Sequence, residues 1–172
     1  MHADSSASEG SQTEPVSTGE EPPEPFHLQV PAGFAPADQQ WLSEHLLLIL
    51  AHLPRGVEQI NIRLLDDAGM SELHQQWKGL EGPTDVLSWF HSSNEEPIEA
   101  DLAIGIEVAR REAEQRGHPV RQELLLYMVH GILHGCGFDD LDPAAADRMH
   151  AEEDRILTLA GVEATYKRGS SE

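Results

Sequence analysis

Residues 130–140 read His-Gly-Ile-Leu-His-Gly-Cys-Gly-Phe-Asp-Asp. On a helix, the spacing of His130 and His134 sets both imidazoles on one face, one turn apart. Gly135 and Gly137 end such a helix, and Gly137 can take the left-handed conformation that reverses the chain. The reversal carries Asp139 or Asp140 back toward the histidine face. Two histidines and one carboxylate form a catalytic zinc ligand set. Three protein ligands leave a fourth position for water, which the ion acidifies into a nucleophile. In the HExxH pattern the residue after the first histidine is the general base. Here that residue is Gly131, so hydrolysis of an amide in that manner loses its main chemical argument.

The helix expected to carry these residues is almost wholly apolar, with Leu124, Leu125, Leu126, Met128, Val129, Ile132 and Leu133. Imidazoles in such a core helix need partners, because unpaired buried polar groups are costly. One ion satisfies both; so would ordinary hydrogen bonds, since an isolated H-x-x-x-H pair often arises by chance. Gly131 in mid-helix costs about 1 kcal/mol relative to alanine. That cost points to something packed closely against it.

The pattern around this helix alternates. FHLQV (26–30), VEQINIRLL (57–65), TDVLSWF (84–90) and DLAIGI (101–106) read as strands, with HSSNEEPIEA as a loop. Residues 37–53 have helical periodicity, with Trp41, Leu42, His45, Leu46 and Ile49 on one side, and Pro54 and Gly56 stop them. Asp66 and Asp67 suit the N-cap of a helix through Trp77. Further helices are expected over 107–117, 120–137 and 143–161, the last with Pro143 in its first turn and Gly161 past its end. About four strands in a small mixed sheet and about five helices give an α+β domain of three-layer α/β/α type. The metal site then lies on a core helix and the turn after it.

Residues 1–26 are rich in Ser, Glu, Pro and Gly, and such a segment cannot bury enough surface to offset its ordering entropy. They are expected to be a disordered acidic tail, residues 27–166 a single domain, and 167–172 a frayed end. Net charge is −20, and without the first 26 residues 25 acidic residues still face 11 basic ones. This is the opposite of a nucleic-acid-binding footprint; it weighs against any RNA or DNA reading, and no DNA partner is expected. Arg110, Arg111, Arg116 and Arg121 group around one expected helix and could line a local groove. No apolar run nears the roughly 18 residues that span a bilayer. A single cysteine, Cys136, permits no internal disulfide, which fits a cytoplasmic protein; nor is a signal peptide visible.

Two blocks together resemble a known family. His130-Gly131-Ile132-Leu133-His134-Gly135-Cys136-Gly137-Phe138-Asp139-Asp140 is similar to the His-Gly-x-Leu-His-x-x-Gly-Tyr-Asp-His signature of the YbeY endoribonucleases, and Gly82-Pro83-Thr84-Asp85-Val86-Leu87-Ser88-Trp89 to the family's P-T-D-V-L-S-F. The resemblance spans roughly residues 57–160. It implies a zinc-dependent endoribonuclease specific for single-stranded RNA. It further implies roles in maturing the 3′ end of small-subunit rRNA and in ribosome quality control. The implied partners are single-stranded RNA or rRNA and the ribosomal small subunit.

The resemblance implies one Zn2+ per chain, held by His130, His134 and the residue at 140. The family has a third histidine there; this sequence has Asp140. Aspartate is shorter and anionic, so the site becomes less positive and another, harder divalent ion is admissible. Lys78 stands at the position of a family arginine, and holds a phosphate as a point charge rather than bidentately. The expected catalytic set is Lys78, stabilising developing phosphate charge, with the metal-bound water as nucleophile. Ala100-Asp101-Leu102 replaces the family's Gly-Asp-Ile. Asp139 is expected to orient a ligating histidine, or else to form a turn. Cys136 is expected to be buried and inert, His118 exposed, His150 on the charged face of the last helix, and Trp41, Trp77 and Trp89 in the core. Two rivals are a non-catalytic ribosome-assembly factor with a structural or vestigial metal site, and a metal-dependent hydrolase of another bond.

Overall fold

The computed structural model describes residues 23–163. The acidic tail up to residue 22 and the end expected to fray lie outside the described residues.

Alternation of apolar and polar residues builds the sheet. Strand β1 (Phe26–Gln29) alternates buried and exposed, and β2 (Val57–Leu65) buries Ile60, Ile62 and Leu64. β3 (Val86–Phe90) and β4 (Ile98–Gly105) follow. The order is β1-β2-β4-β3, with β1, β2 and β4 parallel and β3 antiparallel to β4 at the edge. The register sets Ile62 beside Leu102, and Trp89 beside Asp101. β4 starts three residues before the expected strand, because Ile98 of the stretch read as a loop pairs with Val57. Phe26, at the expected end of the tail, is buried in β1.

Five helices complete the described residues: α1 (Pro36–Leu50), α2 (Asp67–Lys78), α3 (Ile106–Arg116), α4 (Val120–Gly135) and α5 (Pro143–Leu159). Their ends follow local chemistry. Asp66 caps α2 by accepting from Gly69 N–H at 2.8 Å, and Asp142 caps α5 by accepting from Ala145 N–H at 2.8 Å. α1 ends at Leu50, short of the expected 53, because a residue before proline is driven out of the helical region.

α4 is the hub. It buries ten of its residues and packs against α1, α3, α5, β3 and β4. The main core lies on this face, joining Leu42, Leu46 and Ile49 of α1 to the inward residues of the sheet and α4. The other face carries α2 with a small cluster of Met70, Leu87 and Ala103. His27, Gln29, Asn61 and Arg63 on that face are exposed. The fold is α+β with a four-stranded mixed sheet between helices.

Gly131 and Gly135 let α4 lie close on the sheet. A Cβ at Gly131 would come within 2.9 Å of Leu102, Ser88 and Val86, and one at Gly135 would strike the ring of Phe90. The close packing expected from a mid-helix glycine is therefore against β3 and β4, where Ser88 Oγ donates to Gly131 O at 3.2 Å.

Candidate metal centre

α4 ends at Gly135, with Cys136 as its cap and Gly137 at φ 91° reversing the chain. Phe138 N–H donates to Leu133 O at 3.1 Å, and Gly137 N–H to His134 O at 3.2 Å. These bonds fold the aspartate turn back over the last turn of α4, as the two glycines led one to expect.

The imidazoles converge by their Nε2 atoms, which lie 3.3 Å apart. Each Nδ1 faces an acceptor: Glu153 Oε1 at 2.6 Å from His130, and Phe138 O at 3.1 Å from His134. Acceptors at both Nδ1 positions favour the tautomer that carries its proton there and turns the Nε2 lone pair inward. Asp140 Oδ2 lies 3.7 Å from His130 Nε2. One ligand atom from each of His130, His134 and Asp140 falls within 4.8 Å of the others.

This donor set fits a divalent ion. Two Nε2 atoms converging at 3.3 Å with a carboxylate beside them suit a cation held between them. Zinc–nitrogen bonds of about 2.0–2.1 Å in a tetrahedron put two ligands about 3.3–3.4 Å apart, the separation seen here. The electrostatics of the two rings differ. Burial works to lower the His130 pKa, but the hydrogen bond and charge of Glu153 outweigh it and raise the ring above its ordinary 6.5. Burial, then the neighbouring His130, hold His134 below that value.

Glu153 is fully buried, and sequence reading missed it. The available signal was its place on the apolar stripe of α5, with Met149, Ile156 and Leu157. Asp139, the candidate orienting residue, instead accepts from Leu141 N–H at 3.2 Å and is exposed. It forms the turn, and the carboxylate that holds His130 comes from α5. Lys78 is the exposed last residue of α2, and its charge bears on His134.

A cavity of about 410 Å³ adjoins His130 and Asp140, and Thr84, Asp85, Arg116 and His150 line it as well. His150 thus shares a chamber with His130, where a charged outer face was expected. His118 is also less exposed than expected. Its Nε2 lies 2.9 Å from the fully buried Glu123, which Arg116 approaches to 3.2 Å.

The arginine group does not make a free basic groove. Arg110 pairs with Glu107, Arg111 with Asp67 at 2.8 Å, Arg116 with Glu123, and Arg121 with Asp38 at 3.4 Å. Arg121 also lies over Trp41. Trp77 is 59% exposed rather than in the core. Cys136 is half-buried, and burial pushes its thiol up to about 11, which agrees with an inert residue. No described helix is long and apolar enough to cross a membrane.

Comparison with known proteins gives the family of the chain. Residues 35–161 match the family model described as Endoribonuclease YbeY. A relative of that name from Persephonella marina is 36% identical over 126 residues, covering 69% of this chain and 81% of its own length. One from Leifsonia xyli is 41% identical over 108 residues, covering 58% and 71%. A third, from Methylocella silvestris, is 36% identical over 112 residues, and the match spans 63% of each protein. A solution structure from Thermotoga maritima shares the fold, with a TM-score of 0.57 and 18% identity over 86% of this chain and 99% of the other. By the match across most of its folded part, the chain belongs to the YbeY endoribonuclease family.

Proposed function

We propose that this chain is a metal-dependent endoribonuclease that cuts single-stranded RNA, with the 3′ end of small-subunit rRNA as its substrate and ribosome quality control as its setting. The convergence of His130 Nε2, His134 Nε2 and the Asp140 carboxylate carries the reading. Family membership gives the reaction class.

Zinc is the ion that suits two imidazoles and a carboxylate. When bound, it would polarise a phosphoryl oxygen and make water nucleophilic near neutral pH. The chain's own residues do the rest. Glu153 and Phe138 O fix the tautomer and direction of the two imidazoles. Asp140 supplies the anionic donor on the solvent side. Lys78 sets a positive charge where the phosphate gains negative charge in the transition state.

The test uses purified chain loaded with zinc, and a labelled RNA with single-stranded and duplex segments. The expected result is cleavage confined to the single strand, abolished by chelator and restored by zinc. Cleavage indifferent to chelator, or none from the loaded protein, would overturn the reading.

One observation favours a second reading, a non-catalytic assembly factor: the four grouped arginines are already paired with carboxylates. Stable binding to small-subunit particles without cleavage would favour it.

A further inference from the structure

One cavity lies on the face of the sheet away from the candidate metal centre. It measures about 510 Å³ and opens between α2 and the uncovered part of the sheet. Trp77, Trp89 and Leu73 give it an aromatic and apolar side, and Asn61, Arg63 and Asp101 a polar floor. Trp77 and Trp89 meet edge to face, with centroids 5.6 Å apart. Trp77 stays 59% exposed, an unusual place for an indole with no structural work to do. Asp101 is satisfied within the fold, by Asn61 at 2.9 Å and His91 at 2.8 Å, and Arg63 adds a guanidinium to the same wall.

We propose that this cavity holds an unstacked nucleobase of the same RNA strand whose phosphate lies at the metal group; the inference rests on the nuclease reading. Two features join the sites. Edge strand β3 turns Ser88 toward α4, where it bonds Gly131, and Trp89 toward the cavity. On α2, Trp77 borders the cavity and meets Trp89 of that edge strand. A strand leaving the metal group over this edge strand reaches the Trp77 face, because Trp77 lies against Trp89 of β3. Base–aromatic stacking tolerates any base, and stacking strength sets its modest preferences. The larger purine face makes adenine preferred over uracil. An indole platform also supplies affinity that an acidic protein with paired arginines cannot take from the phosphate backbone.

The test measures binding of labelled 2′-O-methyl oligoadenylate and oligouridylate to the full chain, together with steady-state cleavage of single-stranded RNA. Trp77→Ala, Trp77→Phe and wild type are compared. The exposure of Trp77 leaves the core intact on truncation. Oligoadenylate is expected to bind more tightly than oligouridylate. Trp77→Ala is expected to weaken oligoadenylate roughly five- to hundredfold, with the kinetic change falling on KM, and Trp77→Phe to restore most of the loss. Cleavage with an unaltered KM in Trp77→Ala would overturn the base site and leave the nuclease reading standing. Trp77-dependent binding without any cleavage would sustain the base site and sink the nuclease reading.

Discussion

His130 Nδ1 lies 2.6 Å from Glu153 Oε1, and this contact ties the candidate metal helix α4 to α5. It also fixes the proton on Nδ1 and raises the basicity of Nε2. Partners of this kind cost about 10–100-fold in metal affinity when removed. Glu153→Gln, which keeps the shape and removes the charge, is expected to weaken zinc by that factor in a chelator competition. Unchanged affinity would reduce Glu153 to a space-filling residue.

The same pair predicts a pH dependence. A metal displaces the proton from each histidine, so affinity falls as pH drops through the ring's pKa. Glu153 holds the His130 pKa above its ordinary 6.5. The zinc affinity of wild type is therefore expected to begin its decline above pH 6.5 on acidification. Glu153→Gln binds zinc more weakly at neutral pH, yet its affinity starts to decline at a lower pH. Parallel titrations with a zinc indicator read both effects, and identical profiles would break the link between Glu153 and His130.

Local signals in the sequence were enough for helix α4 and the turn after it. The i,i+4 histidines, two terminal glycines and following aspartates lie within eleven residues, and short-range geometry brings them together. Glu153 could not be placed so, because its partner is 23 positions away and the pairing depends on how α5 packs on α4. The arginine group misled for a similar reason: its neutralising partners Asp67 and Asp38 lie on other helices. Trp77 followed an apolar pattern, yet α2 covers too little of the sheet to bury it. The start of β4 was hidden by the acidic residues and Pro97 before Ile98, whose strand pairing is set by β2.

Gly131 allows a test of the packing that positions His130. Alanine there gains about 1 kcal/mol of helix propensity. Its Cβ would lie 2.9 Å from each of Leu102, Ser88 and Val86, and overpacking of this kind costs about 1–3 kcal/mol. Gly131→Ala is expected to be destabilised by about 1 kcal/mol in urea unfolding. Gly135→Ala should cost less, since its obstacle is the partly exposed ring of Phe90, which can swing aside. A stabilised Gly131→Ala would show that α4 stands off the sheet.

Cys136 offers a chemical probe of the same helix end. Burial disfavours the thiolate and moves the pKa from 9.0 to about 11. Since the thiolate is the nucleophile, alkylation by iodoacetamide below pH 8 is expected to be roughly a hundredfold slower in the folded than in the unfolded chain. The folded rate should climb about tenfold per pH unit until near 11. A fast reaction at pH 7 would mean that the turn after α4 opens in solution.

Asp140 decides whether the centre is complete. Its carboxylate is nearly half exposed and stands 3.7 Å from His130 Nε2, while the two imidazoles are held by α5 and by the turn. If it is the third ligand, Asp140→Ala leaves only two donors and loses more zinc affinity than Glu153→Gln, which keeps all three. Asp140→His exchanges a hard anionic donor for a softer neutral one. That variant should hold zinc and discriminate more strongly against magnesium and manganese than wild type does. Elemental analysis of the four proteins, purified without added metal and again after equal exposure to the three ions, reads both effects. Equal zinc in wild type and Asp140→Ala would remove the aspartate from the ligand set, and the two histidines would then need a donor from the RNA itself.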